Sequence, residues 1–500
     1  MYSTHPRIIQ GGMGAGVSNW RLARAVAQTG QLGVVSGTAL DQILARRLQD
    51  GDPGGHMRRG LDHFPFPEMA KRIWETYFIP GGKPAGASYK NLAVHTKDGP
   101  RDTWELCIVS NFVEVFLARE GHCGLVGINY LEKVQLPHLS SIYGAMLAGV
   151  HYILMGAGIP LKIPGVLDSL SRHEQATYPL LVSGAQEGDD TTIRFEPRDF
   201  MERDLPPLAR PVFLAIIASN TLATTMLKKA NGRVDGFVIE GPTAGGHNAP
   251  PRGKQQLNAT GEPIYGERDL VDLEKLRELN TPFWLAGGYG RPGKLREALD
   301  AGAAGVQTGT IFEFCAESGL SEEYKQSILK GIFSGEARVL TDPLASPTGF
   351  PFKVVQVDGS ASDPTVYAER RRVCDVGYLR EAYRTPDGKI GYRCAAEPVT
   401  TYVAKGGKLE NTVGRKCLCN GLLANIAYPQ VRRGNYVEKG LVTAGDDLAA
   451  VARYMPSTGR PYTAAEVVSM LLDEGSGRHC AVRASDCIGA AAAAGVLAPA

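Results

Sequence analysis

The chain has 500 residues, more than an average domain of about 150, although an α/β barrel of about 250 can stand alone. Lysine and arginine number 54 against 52 acidic residues. The net charge of +2 leaves no basic excess for tracking phosphates, so nucleic acid is not expected as a partner. Hydrophobic residues at 43% and charged residues at 21% exclude disorder, and no apolar run reaches the roughly 18 residues of a membrane span.

Short apolar runs alternate with helix-length segments along the chain. In order, the runs are residues 7–12 (RIIQGG), 32–37 (LGVVSG), 124–129 (GLVGIN), 152–156 (YILMG), 212–219 (VFLAIIAS), 236–241 (GFVIEG), 283–288 (FWLAGG) and 305–309 (GVQTG). Continuous apolar runs suit strands buried on both faces, as in a parallel sheet. Helices are expected over 19–28 with Ser18 as N-cap, and over 139–147, 161–170, 221–230, 268–279, 292–301 and 322–331. Eight such strands in series predict an α/β fold of the (β/α)8 TIM barrel type, with an open doubly wound sheet as the alternative.

Insertions are expected at about 42–98, 175–211 and 248–266. Arg46 and Arg47 read as part of a solvated helix face. The turn-forming stretch 342–351 (DPLASPTGFP) marks a boundary between a barrel over 1–341 and a cysteine-containing C-terminal extension over 342–500. Residues 488–500 are alanine-rich and read as a docked helix or a frayed tail. The first nine residues lack an export pattern, so a cytoplasmic location is expected. Nine cysteines, an odd number, then favour reduced thiols or a metal site over a disulfide scaffold. Cys374, Cys394, Cys417 and Cys419 are candidate ligands for zinc or an iron–sulfur cluster, which spacing alone does not separate.

A barrel works at the C-terminal ends of its strands, and the glycine clusters fall there. Gly287-Gly288 and Gly309-Thr310 follow the seventh and eighth strands, where backbone N–H groups commonly hold a phosphate. His247 follows two glycines after the sixth strand and is a candidate base. Glu240, ending that strand, reads equally as a site carboxylate or a structural one. Lys133 and Lys162 follow strands three and four; either is a candidate cation for stabilising a developing negative charge.

QGGMG at residues 10–14, AGGH at 244–247, LAGG at 285–288 and GAAGVQTGTIF at 302–312 together resemble the nitronate monooxygenase family, formerly the 2-nitropropane dioxygenases. The FMN-dependent enoyl-thioester reductases share nearly the same motifs. The resemblance covers about 6–331 and implies FMN. Its phosphate would sit on Gly287, Gly288, Gly309 and Thr310, with Gln307 nearby. Its ring would lie against Gly11, Gly12 and Met13, with Asn129, Gly245 and Gly246 in contact; Lys133 or Lys162 would then be the cation near it. His247 would be the base. The chain departs from the family pattern at Thr243, where glutamate is usual, and after His247, where Asn248-Ala249-Pro250-Pro251 replaces a small glycine turn. The implied reaction is oxidation of a nitronate or similar small anion with oxygen. The alternatives are enoyl-thioester reduction with NAD(P)H, with a pantetheine tunnel lined by 42–98, or a flavin-free phosphate-binding barrel serving as a lyase, an isomerase or a binding module. The oligomeric state is left open.

Overall fold

The computed structural model of the chain describes residues 5–456 and 459–473; the alanine-rich stretch 488–500 lies outside them. All eight expected strands form. They are β1 (Ile8–Gln10), β2 (Gly33–Ser36), β3 (Val126–Leu131), β4 (Tyr152–Gly156), β5 (Val212–Ile217), β6 (Gly236–Glu240), β7 (Phe283–Ala286) and β8 (Gly305–Thr308). From β2 onward each pairs in parallel with the next, and β8 returns to pair with β1. Between β1 and β2 the ladder shrinks to one parallel bridge, Ile9 with Leu32, which closes the ring. The fold is a TIM barrel.

The strands read as unbroken apolar runs because both faces are covered. Ile9, Val34, Leu154, Leu214, Val238 and Trp284 form a closed cluster that fills the lumen. Their outward neighbours, among them Ile8, Val35, Ile153 and Phe213, pack into the larger core under the helices. Trp284 anchors one end, its Nε1 donating to the Pro6 carbonyl at 2.7 Å.

Local polar chemistry sets several helix starts. The first crossover helix, Trp20–Ala27, is capped by Asn19 and not by Ser18, since the Asn19 Oδ1 accepts from the Arg21 and Leu22 N–H groups. Ser18 serves the rim loop instead, its hydroxyl accepting from Met13 N at 2.9 Å. Ser219 caps Asn220–Lys229, its hydroxyl accepting from the Leu222 N–H. The helix expected over 268–279 contracts to Leu273–Arg277, because the Asp272 carboxylate takes the Glu274 and Lys275 N–H groups and starts the helix there.

The first insertion folds as Leu40–Gln49, His56–Asp62 and Pro67–Tyr77, followed by the long crossover helix Arg101–Arg119. Leu40–Gln49 is buried along its whole length, so the expected solvated face for Arg46 and Arg47 is corrected. Arg47 pairs with the buried Glu114, and Arg46 donates to the Tyr428 carbonyl. In the second insertion Ala176–Pro179 pairs antiparallel with Thr192–Phe195, and Val182–Ser183 lies beside Glu381–Arg384.

Residues 343–351 connect two antiparallel strands, Val339–Asp342 and Phe352–Val355. The chain beyond them packs back on the barrel. Ala464–Leu472 lies on Trp20–Ala27, and the buried Tyr462 donates its hydroxyl to the Ile311 carbonyl at 2.7 Å. No helix among the described residues is long and apolar enough to cross a membrane.

Candidate active site

β7 and β8 are neighbours with Ala286 opposite Gln307. Their C-terminal turns, Gly287-Gly288 and Gly309-Thr310, therefore emerge side by side. Gly287 and Gly288 take φ of +92° and +76°, a left-handed conformation that disfavours any side chain. A Cβ on Gly287 would also sit 2.9 Å from Thr243 Oγ1. Beside them, after β1, Gly12 lies so close to β3 that a Cβ would fall 2.5 Å from the Cβ of Asn129.

These turns surround a cavity of about 210 Å³ at the C-terminal mouth of the barrel. Gly11, Gly12, Met13, Asn129, Gly245, Gly246, His247, Gly287, Gly288, Gln307, Gly309 and Thr310 all line it. Lys133 does not; it stands behind the wall, its ammonium 3.9 Å from the Phe350 ring centroid and 3.5 Å from Thr348 Oγ1. Lys162 is exposed and outside the lining. Asn129 Oδ1, Gln307 Oε1, Thr308 Oγ1 and Asp447 Oδ2 are buried without a hydrogen-bond partner, and all four residues face the cavity. Buried polar atoms cost free energy unless satisfied, so a polar occupant is the natural partner.

Part of the wall comes from the chain beyond residue 342. Tyr378, Leu418, Cys419, Thr443 and Asp447 line the cavity. This cover is fastened to the rim. Gly246 N donates to Thr443 Oγ1, Asp446 N to the Thr243 carbonyl and Gly445 N to Thr310 Oγ1, at 2.9, 3.0 and 2.9 Å. Arg291, beside the Gly287-Gly288 turn, holds Asp447 at 2.6 Å.

His247 Nε2 meets Ser346 Oγ at 2.7 Å, and Ser346 meets Thr348 Oγ1 at 2.8 Å. With the Lys133 contact this makes a polar chain behind the imidazole. Burial holds the His247 pKa well below the usual histidine range, with Lys133 adding to the effect, so the ring is neutral at neutral pH. Glu240 also lines the cavity; burial pushes its carboxyl up to about 7, against the opposing charge of Lys133. Burial pulls Lys133 down to about 7. Glu313, a buried carboxylic acid raised well above its usual range by burial, completes the acidic groups of the lining.

Glu240 was placed at the rim by ending the sixth strand, with its role left open; Glu313, Tyr378 and Asp447 gave no signal, because nothing in their spacing ties them to the rim. The four late cysteines gather beside this cavity. Among the described residues the one set of three His, Cys, Asp or Glu ligand atoms mutually within 4.8 Å is a different one, Asp41, His95 and Cys107. There His95 Nε2 lies 3.0 Å from Asp41 Oδ2 and 3.7 Å from Cys107 Sγ.

Residues 208–341, from β5 to the strand after the barrel, match the family model described as nitronate monooxygenase. The expected resemblance to the nitronate monooxygenase family holds over that stretch. A probable nitronate monooxygenase of Bacillus subtilis is 33% identical over 133 residues, which is 25% of this chain and 36% of that protein. The nitronate monooxygenase of Pseudomonas aeruginosa is 34% identical over 119 residues, 23% of this chain and 31% of that protein. The matches thus span about a third of the length of these relatives. Among solved structures, nitroalkane oxidase from Streptomyces ansochromogenes aligns over 94% of this chain and 95% of its own, at 15% identity and a TM-score of 0.46. FabK from Thermotoga maritima aligns over 94% and 92%, at 16% identity and a TM-score of 0.43.

Proposed function

We propose that the chain is an FMN-dependent oxidoreductase that oxidises a nitronate, or a similar small anion, with oxygen. The observation that carries this reading is the cavity itself. Two adjacent glycine turns and three unpartnered polar atoms, on Asn129, Gln307 and Thr308, face one space at the catalytic end of a barrel. Gly287, Gly288, Gly309 and Thr310 would hold the FMN phosphate. Gly11, Gly12, Met13, Asn129, Gly245 and Gly246 would flank the ring, with Gln307 between. Bound FMN would supply the electron acceptance and the return of electrons to oxygen.

The chain's own groups do the rest. His247, neutral and held through Nε2 by Ser346, is ready to take a proton from the carbon of a neutral nitroalkane or to hydrogen-bond an anionic oxygen. Lys133 in its charged form, one shell behind, favours negative charge in the cavity. The cover formed by Tyr378, Leu418 and Thr443 limits water at the reacting centre.

The enoyl-thioester reductase reading shares the cofactor and differs in the donor. Among the described residues none of 42–98 lines the cavity, so the cavity gives no support for a pantetheine tunnel walled by this insertion. Anaerobic mixing separates the readings. Nitronate should bleach the bound flavin, and nicotinamide should not. Bleaching by NAD(P)H alone would transfer the assignment to the reductase, and a colourless protein would favour the flavin-free barrel.

A further inference from the structure

Cys374, Cys394, Cys417 and Cys419 come from three separate stretches of chain and line one small cavity. None of the other described cysteines joins them. The remaining wall is mainly apolar, with Pro347, Val373, Val376, Leu379 and Leu418. The Cys374 and Cys394 thiols are in hydrogen-bond contact. Backbone N–H groups approach three of the sulfurs: Ala396 at Cys394, Asn420 at Cys417, and both Tyr378 and Leu379 at Cys419. Asn420 Nδ2 adds a second donor 3.5 Å from Cys417 Sγ. Arg370 and Arg380 lie beside Cys417 and Cys374.

Four thiols from three stretches of chain on one mainly apolar cavity, with N–H donors at their sulfurs, make up the donor set of a metal centre. A single zinc ion would draw four sulfurs to about 3.8 Å from one another, given Zn–S bonds of about 2.3 Å in a tetrahedron. The four cysteines do not supply three sulfurs mutually within 4.8 Å. Cys374 and Cys394 are in contact and no third sulfur joins them within 4.8 Å, so as a set the four are spread beyond the reach of one ion, as ligands to bridged irons are. We propose that Cys374, Cys394, Cys417 and Cys419 ligate an iron–sulfur cluster. Four cysteine thiolates are the usual complement for such a centre, and N–H groups on the sulfurs are among the features that tune its potential.

Val376, Leu379, Leu418 and Cys419 line this cavity and the main one. The cluster therefore stands directly behind the active-site wall, within reach of a redox cofactor there. That consequence rests on the flavin reading; the cluster assignment does not.

The test is anaerobic preparation of the full chain, with reconstitution by ferrous iron and sulfide. Iron, zinc, acid-labile sulfide and released flavin are each measured. Iron and sulfide in equal amounts, with a paramagnetic signal after dithionite reduction, are expected. Cys417→Ser and Cys374→Ser should lose both to background, and Cys123→Ser should retain them. Stoichiometric zinc without sulfide, or no metal in a folded protein, overturns the proposal, as does retention of iron and sulfide by both serine variants. Flavin content is read separately, so a protein with cluster but no flavin contradicts only the flavin reading.

Discussion

Glu240 and Lys133 carry opposite formal charges, yet burial drives both toward neutrality near pH 7. Below that pH Lys133 is charged and Glu240 is not. As the pH rises through about 7, Glu240 gains a negative charge and Lys133 loses a positive one. Both changes make the cavity more repulsive to an anion. The KM for a nitronate is therefore expected to rise above pH 7, by roughly an order of magnitude, and Glu240→Gln should weaken that dependence. A KM profile that stays flat from pH 6 to 9 would argue against this placement of charge. His247 supplies a second contrast. His247→Ala should slow oxidation of a neutral nitroalkane by about 10²–10⁴-fold, the usual worth of a general base, and should affect a preformed nitronate much less. Equal losses on the two substrates would remove His247 from the role of base.

Buried polar pairs dominate at the scale of elements. Glu114, on the long helix Arg101–Arg119, takes Arg47 from Leu40–Gln49 and the Trp20 N–H from the first crossover helix. Glu114→Ala strands the Arg47 charge and should cost about 3–5 kcal/mol, as removing one partner of a buried pair does, seen as a lower midpoint in chemical denaturation. The Asp41–His95–Cys107 group gives a pH signature. Burial alone would lower the His95 pKa; Cys107 and Asp41 outweigh it and hold the ring up to about 10. A raised folded pKa gives stability that is complete below the ordinary histidine range and lost as pH climbs toward 10. Thermal stability should fall over that window, and His95→Gln should flatten the fall; an unchanged slope would contradict the pairing. These elements also show where the sequence was readable. The eight strands stood out because burial on both faces makes them mostly apolar, with polar residues such as Gln10, Ser36, Asn129, Glu240 and Gln307 toward their C-terminal ends. Leu40–Gln49 did not, because its arginines are buried by partners more than sixty residues away, Glu114 and Tyr428. The rim glycines were legible because positive φ and close approach restrict the residue type. Glu240 was legible as a strand-end carboxylate of open role, and Asp447 was not legible, since its place at the rim depends on contacts made across the fold.

Over the whole molecule, the chain beyond residue 342 is a working part of the barrel. It covers the mouth, ties into three rim turns and buries Tyr462 against Ile311. A chain ending at residue 341 should therefore expose core residues of the barrel, bind a hydrophobic dye and unfold without a sharp transition. A cooperative transition like that of the full chain would show that the cover is dispensable. On the proposed reading the turns after β7 and β8 hold a flavin mononucleotide in this cavity. The most direct measurement of that is FMN retained by the full-length protein after incubation and gel filtration, beside the same measurement on Gly287→Val. About one FMN per chain is expected for the native sequence, with at least a tenfold loss in the variant, whose new side chain meets a left-handed backbone and Thr243. A native chain that retains none, or a folded variant that retains as much, would contradict it.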